Sequence, residues 1–251
     1  MTKRLGRGSD SDSRNEATGT GREPFRDRSG RSLQDYPRPS VAVDTALLTV
    51  GPSGGDGTGS PELLVLQVRR PAGGWALPGT FLHPGERLID AVLRSLREKA
   101  GVTGASPRQL HVFDDPDRDE RGWVLSVAHA DAMPLARLAG AIDGDGARSA
   151  SATSPGSLPY DHAEIVRAAV RQLRHRYASA PDPDRLLGPS FTLRELRLVH
   201  EAVAGHTLQK DTFRRRMESA LVPTGRISSG TRGRPAELFR RARRVSTPGG
   251  P

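Results

Sequence analysis

The chain has 251 residues, enough for one large domain or two modest ones, and two is the better expectation. Its 38 Lys and Arg residues against 29 Asp and Glu residues give a net charge of +9, which favours polyanions such as nucleic acid as partners. The sequence has no cysteine and no apolar run near the ~18 residues that span a bilayer, so it excludes disulfides and predicts no membrane anchor, no secretory signal and a cytoplasmic location.

The first half of the chain has the pattern of a β-rich domain with one central helix. Residues 1–39 are rich in Gly, Ser, Arg and Asp with little to bury, so we expect a disordered basic tail. The apolar patterns then predict, in chain order, strands at 41–50 and 62–70, a helix at about 86–100 that ends at Gly101, and strands at 109–115 and 123–132.

A low-complexity stretch and a closing helix complete this domain. Residues 139–159 have the composition of a low-complexity insertion or linker, for which we predict no regular structure. A helix then begins at Asp161, where Asp161 and Glu164 have the spacing of a capping box. We therefore predict a first domain over 40–180.

The second domain is predicted over 185–244, with a disordered tail at 245–251. Thr192 and Glu195 have capping-box spacing ahead of a helix that ends at Gly205. A short helix at about 208–219 follows, and two extended segments then surround a Ser/Gly/Arg tip. Helix, tight turn, helix and hairpin is the element order of a winged helix-turn-helix domain.

Positive charge concentrates in this second domain. Residues 181–251 hold 14 Lys and Arg against 7 Asp and Glu, a net charge of +7. On the short helix, Phe213, Met217 and Ala220 share one face and helical geometry directs Arg215 to the opposite side, where an arginine can read guanine in the major groove. A solvated charged face is the alternative. We predict double-stranded DNA as partner, with contacts from Lys210, Thr212, Arg214, Arg215, Arg216 and, at the wing tip, Arg232 and Arg234.

The segment from Gly79 to Val102 resembles the Nudix box, G-x5-E-x7-R-E-U-x-E-E-x-G-U, where U is a bulky apolar residue. The alignment has no gap, and the preceding WALPG at 75–79 is also similar to the family. Thr80 stands at the leading glycine, and the matching residues are Glu86, Arg94, Leu96, Gly101 and Val102.

The departures from the box fall on its chemistry. In active members, three glutamates of the box helix hold divalent cations, but Ser95, Glu98 and Lys99 stand at those positions here. Helical spacing places the three on one arc, with a net charge of about zero in place of about −3. We therefore expect no bound metal, no cofactor and no hydrolysis. The structural alternatives are a helix-dipole role for Glu86 and an i,i+4 ion pair between Arg94 and Glu98.

The loop FDDPDRDERGW at 113–123 resembles the ADP-ribose-related branch of the Nudix proteins. Guanidinium groups pair well with phosphates, although a solvated hairpin tip would have the same composition. His162 fits a structural role better than a ligand-binding one. The resemblance assigns a nucleotide ligand to Arg70, Trp75, Arg118 and Arg121.

The two domains together, over about 40–244, resemble the NrtR family of Nudix-related transcriptional regulators of NAD metabolism. The resemblance implies an α+β protein, with a Nudix-like α/β/α sandwich domain followed by a winged helix-turn-helix domain. It also implies a homodimeric repressor that binds a palindromic operator and is released by ADP-ribose or a related nucleotide metabolite. The alternatives are an activator, a regulator that has lost its response to an effector, and a nonspecific nucleic-acid binder. A further alternative is a Nudix hydrolase with residual activity from Glu86, Glu98 and the acidic loop 114–120.

Overall fold

The computed structural model describes residues 25–53, 59–142, 144–228 and 235–242. The described residues up to Arg38 form one compact unit and those from Pro39 onward form a second. In the first unit, Arg26 pairs with Ser32 in an isolated β-bridge, and a 3-10 helix spans Leu33–Asp35. The prediction of disorder over 1–39 is therefore wrong for residues 25–38, where local hydrogen bonds to Asp27 and Asp35 fold the chain. Residues 1–24 and the tail at 245–251 lie outside the described residues.

A mixed sheet forms the centre of the second unit. Its strands are β1 (Ser40–Pro52), β2 (Pro61–Arg69), β3 (Trp75–Ala76), β4 (Gly79–Phe81), β5 (Arg108–Phe113), β6 (Val124–Ala132) and β7 (Ala147–Ser151). The strand order is β3, β2, β1, β6, β5, while β4 pairs with β1 and β7 with β2. β1 pairs in parallel with β6, and the other pairings are antiparallel.

Helices cover both faces of this sheet because side chains alternate along each strand. Helix α1 (Leu88–Ala100) packs on the face that includes Val43 and Leu47. After the short helix α2 (Ala139–Ile142), helices α3 (His162–Tyr177) and α4 (Leu193–Ala204) pack on the opposite face. The sheet therefore lies between two helical layers.

The C-terminal elements build a second, smaller core. Strand β8 (Phe191–Thr192) precedes α4, and α5 (Lys210–Glu218) follows it. Strands β9 (Leu221–Ile227) and β10 (Glu237–Arg241) complete a three-stranded antiparallel sheet in the order β8, β10, β9. Leu196 of α4 packs in this core, whereas Val199 and Val203 pack on the large sheet. Helix α4 thus belongs to both cores.

The prediction of no regular structure over 139–159 is wrong. Residues 139–142 form α2, and 147–151 form β7, which pairs with β2 along its length. Arg148 fixes this strand further, because its guanidinium donates to Gln67 Oε1 at 3.0 Å and covers the ring of Trp75 at 4.4 Å. The composition is poor in strand-forming residues, but the unpaired edge of β2 supplies a hydrogen-bonding partner.

The two predicted capping boxes, at the starts of α4 and α3, have different outcomes. Thr192 and Glu195 form the predicted capping box, with Thr192 Oγ1 accepting from the Glu195 amide at 3.1 Å and Glu195 Oε2 from the Thr192 amide at 2.7 Å. The capping box predicted at Asp161 and Glu164 does not form. The Asp161 carboxylate binds Arg118 instead, so its oxygens are turned away from the helix.

Candidate functional site

A cavity of about 430 Å³ opens between β1, β4 and the start of α3. Its walls combine aromatic rings with charged groups of both signs, which is the lining expected of a site for a charged, ring-containing ligand. The residues that line it include Asp44, Arg70, Phe81, Lys99, Arg118, Asp119, Arg121, Tyr160 and His162.

Asp44 is buried at the base of this cavity and is fully engaged. Ser126 Oγ donates to its Oδ2 at 2.6 Å, and His162 Nε2 lies 3.3 Å from its Oδ1. The Leu77 amide donates to His162 Nδ1 at 3.1 Å, which leaves Nε2 as the ring nitrogen that faces Asp44. Burial alone would raise the pKa of Asp44, but the hydrogen bonds from His162 and Ser126 and the charge of Arg118 lower it.

Gly79 is required beside this carboxylate. A Cβ atom at that position would lie 2.0 Å from Asp44 Oδ1, which no real contact allows. The same glycine's carbonyl accepts a hydrogen bond from the Lys99 ammonium. The Lys99 residue as a whole is exposed, but its ammonium reaches the cavity. Burial there lowers the pKa of Lys99, although the negative charge of Asp44 acts in the opposite direction.

Arg118 is part of the wall and not a free guanidinium. Its side chain is 3% exposed, and Nε and Nη2 donate to the two oxygens of Asp161 at 2.7 and 2.6 Å. Nη2 also lies 3.7 Å from Asp44 Oδ2. This pair joins the 113–123 loop to the first turn of α3.

The rim of the cavity carries arginines stacked on aromatic rings. The guanidinium of Arg121 lies 5.1 Å from the ring centre of Phe81 and 5.0 Å from that of Tyr160, and Arg70 lies 5.9 Å from Tyr160. Arg121 is also bound to Asp119 at 2.8 and 2.6 Å, but half of its side chain remains exposed. These flat cations and rings suit a base or a phosphate at the entrance.

Of the four residues predicted to bind the nucleotide, Arg70, Arg118 and Arg121 line the cavity, whereas Trp75 is not among the lining residues and its ring lies against Arg148. Sequence reasoning missed the rings of Phe81 and Tyr160 and the carboxylate of Asp44. The sequence could have indicated Asp44 as a site residue, because it is the one charged residue of the apolar run SVAVDTALLTV. A charge inside a buried strand needs partners.

Glu86 and Arg94 form a structural clamp between β4 and α1. Arg94 Nε and Nη2 donate to the Glu86 carboxylate at 2.8 and 2.9 Å, and Nη2 also donates to the Phe81 carbonyl at 3.1 Å. Those bonds and the His83 amide lower the pKa of Glu86 to about 2. Arg94 Nη1 lies 3.8 Å from Glu98, so the i,i+4 pair is also present.

The three positions of the box glutamates lie on one arc of α1, as predicted, but they do not share one exposed surface. Ser95 is buried, and within the described residues its hydroxyl has no hydrogen-bond partner. Glu98 is exposed beside Arg94 and Arg97. Of the three, Lys99 alone lines the cavity. Helical spacing gave their directions correctly, but Ser95, in the middle of the arc, is buried.

Helix α5 exposes most of the predicted DNA-contacting residues. Phe213 and Met217 are buried, while Lys210, Thr212, Arg214, Arg215 and Arg216 are exposed. Arg214 lies 3.6 Å from Glu218, and Arg216 donates to the Ala178 carbonyl at the end of α3. Arg232 and Arg234 lie outside the described residues. Two arginines that the sequence reasoning missed, Arg194 and Arg197, line a cavity of about 240 Å³ together with Lys210 and Arg214.

Comparison with known proteins identifies both halves. Residues 52–168 match the NUDIX domain, and residues 184–241 match the NrtR DNA-binding winged helix domain. The ADPR responsive transcriptional repressor NtrR of Acinetobacter baylyi is 31% identical over 226 residues, covering 82% of this chain and 83% of that protein. The ADP-ribose pyrophosphatase of Methanocaldococcus jannaschii is 31% identical over 141 residues, covering 54% of this chain and 76% of that enzyme.

A solved structure extends the likeness to three dimensions. The crystal structure of Shewanella oneidensis NrtR complexed with a 27mer DNA has a TM-score of 0.66 and 31% identity, covering 80% of this chain and 93% of that chain. The predicted fold, a Nudix-like α/β/α sandwich domain followed by a winged helix domain, is confirmed. None of the helices in the described ranges is long and apolar enough to cross a membrane.

Proposed function

This chain belongs to the NrtR family, and from that premise we propose that it is a DNA-binding transcriptional repressor whose Nudix domain binds ADP-ribose or a related nucleotide without hydrolysing it. The observation that carries the proposal is the likeness across both domains to a repressor named for its response to ADPR. A homodimer on a palindromic operator, in the cytoplasm, is part of the proposal, because two α5 helices related by a two-fold axis would read two half-sites.

The cavity beside β4 is the proposed effector site. Tyr160 and Phe81 offer ring surfaces to a base, while Arg70, Arg121 and Lys99 offer positive charge to phosphates. The absence of hydrolysis is proposed from the box, where Ser95 is buried and Glu98 is turned toward arginines.

Helix α5 is the proposed reading helix. Arg215 is exposed opposite the buried Phe213 and Met217, so a helix lying in the major groove would present it to base edges. Lys210 and Arg214 are exposed on the same helix and would contact phosphates, as would Arg232 and Arg234 from the wing. Arg216 holds α5 against α3 in this structure.

Helix α3 offers a physical route between the two sites. Its 16 residues extend about 24 Å. At the first end, Asp161 binds Arg118 of the cavity wall, and at the other the Ala178 carbonyl binds Arg216 of α5. A ligand that draws Arg118 away from Asp161 would release the first turn of α3 and so change the position of α5. Effector and DNA would then favour different arrangements, which is the requirement for linkage.

The DNA-binding half of the proposal is tested with operators selected from genomic fragments and fluorescence anisotropy. Arg215→Ala should weaken operator binding by roughly 5-fold to 150-fold, the equivalent of about 1–3 kcal/mol for a base-reading arginine, and should lower specificity over random duplex. Arg167→Ala, an exposed arginine of α3 paired with Glu164, is the matched control and should bind as the wild type does. Equal binding to selected and random duplexes at rising salt would identify a nonspecific binder instead.

The effector half is tested by adding ADP-ribose to the preformed complex with the operator. We expect release of DNA and no breakdown of ADP-ribose in Mg²⁺ or Mn²⁺. Metal-dependent turnover that disappears in Glu98→Gln would support the hydrolase alternative and contradict the proposal.

A further inference from the structure

In active Nudix proteins a divalent cation binds the pyrophosphate of the substrate. A metal ion in this cavity would need free oxygen ligands among the lining residues. The carboxylates that line it among the described residues are Asp44 and Asp119. Asp44 accepts from Ser126 and faces His162, and Asp119 is bound on both oxygens by Arg121. Mg²⁺ needs oxygen ligands that are free to approach it in octahedral geometry. These two carboxylates do not meet that need.

The box helix does not supply the missing oxygens. Glu86 is occupied by Arg94, and Glu98 lies outside the cavity lining. In the described ranges, no group of three or more His, Asp or Glu side chains is arranged to hold a metal ion. The residues present therefore do not fit a divalent cation.

Lys99 supplies positive charge where the cation would have acted. Its ammonium reaches the cavity and donates one hydrogen bond to the Gly79 carbonyl, which anchors it. An ammonium has three N–H donors, so two remain for a ligand. Among the lining residues, the four cationic side chains Arg70, Lys99, Arg118 and Arg121 outnumber the two anionic ones, and with Asp161, which binds Arg118, the net charge is +1. A pyrophosphate diester carries a charge of about −2, so the sign of this net charge favours its binding.

We propose that Lys99 replaces the divalent cation of the Nudix site and binds the pyrophosphate of the nucleotide effector directly, so that the effector binds without metal. This inference rests on the proposed function, since it assigns the chemistry by which the same cavity holds its ligand. An ammonium stabilises the charge of a pyrophosphate, but it does not generate a metal-bound hydroxide that could attack it. Lys99 thus gives binding without cleavage.

Isothermal titration of the full chain with ADP-ribose tests the inference. The wild type should bind with the same Kd, within about 2-fold, in EDTA and in excess Mg²⁺. Lys99→Gln should weaken binding at least 10-fold in both conditions, because a charge-assisted hydrogen bond contributes about 1.5–3 kcal/mol. Arg97→Gln, an exposed cation on the same helix outside the cavity, is the matched control and should bind as the wild type does.

Lys99→Glu restores the carboxylate of the active family pattern and gives a second arm. We expect it to bind ADP-ribose poorly in EDTA and to recover affinity in Mg²⁺. Thermal unfolding checks that each variant is folded. If Lys99→Gln does not fold, the Kd of the wild type in EDTA and in Mg²⁺ still tests whether the effector binds without metal.

The outcomes separate this inference from the proposed function. Wild-type binding that requires Mg²⁺, or unchanged binding by a folded Lys99→Gln, would overturn the role of Lys99 while release of the operator by ADP-ribose continued to support the repressor. If ADP-ribose does not bind in either EDTA or Mg²⁺, both the role of Lys99 and the proposed effector are wrong. The proposed DNA binding would then be tested by operator binding alone.

Discussion

His200 illustrates how much a single side chain depends on its surroundings. It is buried in α4 between the rings of Tyr177 from α3 and Phe213 from α5, with ring centres 5.0 and 4.9 Å away. In the described part of the chain its Nε2 has no hydrogen-bond partner. Burial lowers its pKa from 6.5 to about 4, with Arg216 acting in the same direction and Asp182 opposing them. The ring is therefore neutral in the folded protein.

This burial predicts acid sensitivity. Because the folded pKa lies below the unfolded one, the unfolded chain binds the proton more tightly, and stability falls as pH decreases from about 6.5 toward 4. We expect His200 to account for a loss of about 2 kcal/mol between pH 7 and pH 5. Urea unfolding of wild type and His200→Phe at both pH values measures it. An equal loss in the variant would show that other groups cause the sensitivity.

At the scale of elements, local rules hold where no distant group competes. The capping box at the start of α4 forms as its sequence indicates, and Gly101 ends α1 in the left-handed region at φ 62°. At α3 the same local pattern fails, because the buried guanidinium of Arg118 binds Asp161. A charged partner offers the carboxylate a stronger interaction than a backbone amide does.

The cap of α4 is therefore predicted to stabilise the protein measurably. Thr192→Ala and Thr192→Ser both remove the buried methyl group, but only Ser retains the hydroxyl that accepts from the Glu195 amide. We expect the alanine variant to be less stable than the serine variant by about 1 kcal/mol, the usual contribution of an N-cap. Chemical denaturation of the pair gives this difference directly. Equal stabilities would mean that the cap contributes nothing here.

At the scale of the molecule, Asp182 ties the large sheet's helices to the winged helix. Its carboxylate accepts from the Tyr177 hydroxyl at 2.7 Å and from the Leu186 and Leu187 amides at 2.7 and 2.9 Å, and it pairs with Arg241 of β10. The residue is fully buried. Helix α4 adds the shared packing of both cores, so the two halves of residues 39–242 support each other.

Removing the charge of Asp182 should destabilise the whole assembly. Asn tolerates the positive φ of 60° at this position, so Asp182→Asn leaves Arg241 without its buried counter-charge and places an NH2 group beside two of the donors that the carboxylate accepts from. We expect a loss of about 3–5 kcal/mol in the free energy of unfolding. Glu164→Gln, which removes an exposed pair with Arg167, is the control and should cost less than about 1 kcal/mol. A similarly small effect at Asp182 would contradict the role described for it.

The sequence by itself determined the main helices and strands, the Nudix-like spacing and the cap at Thr192, because periodicity, capping residues and fixed offsets act over a few positions. Only the tertiary structure decided that β7 forms, that Asp161 binds Arg118, that Ser95 is buried and that Asp44 lines the cavity. Each of those outcomes depends on a partner tens of residues away in the chain, whose approach is fixed by packing of the sheet and its helices and not by local preference.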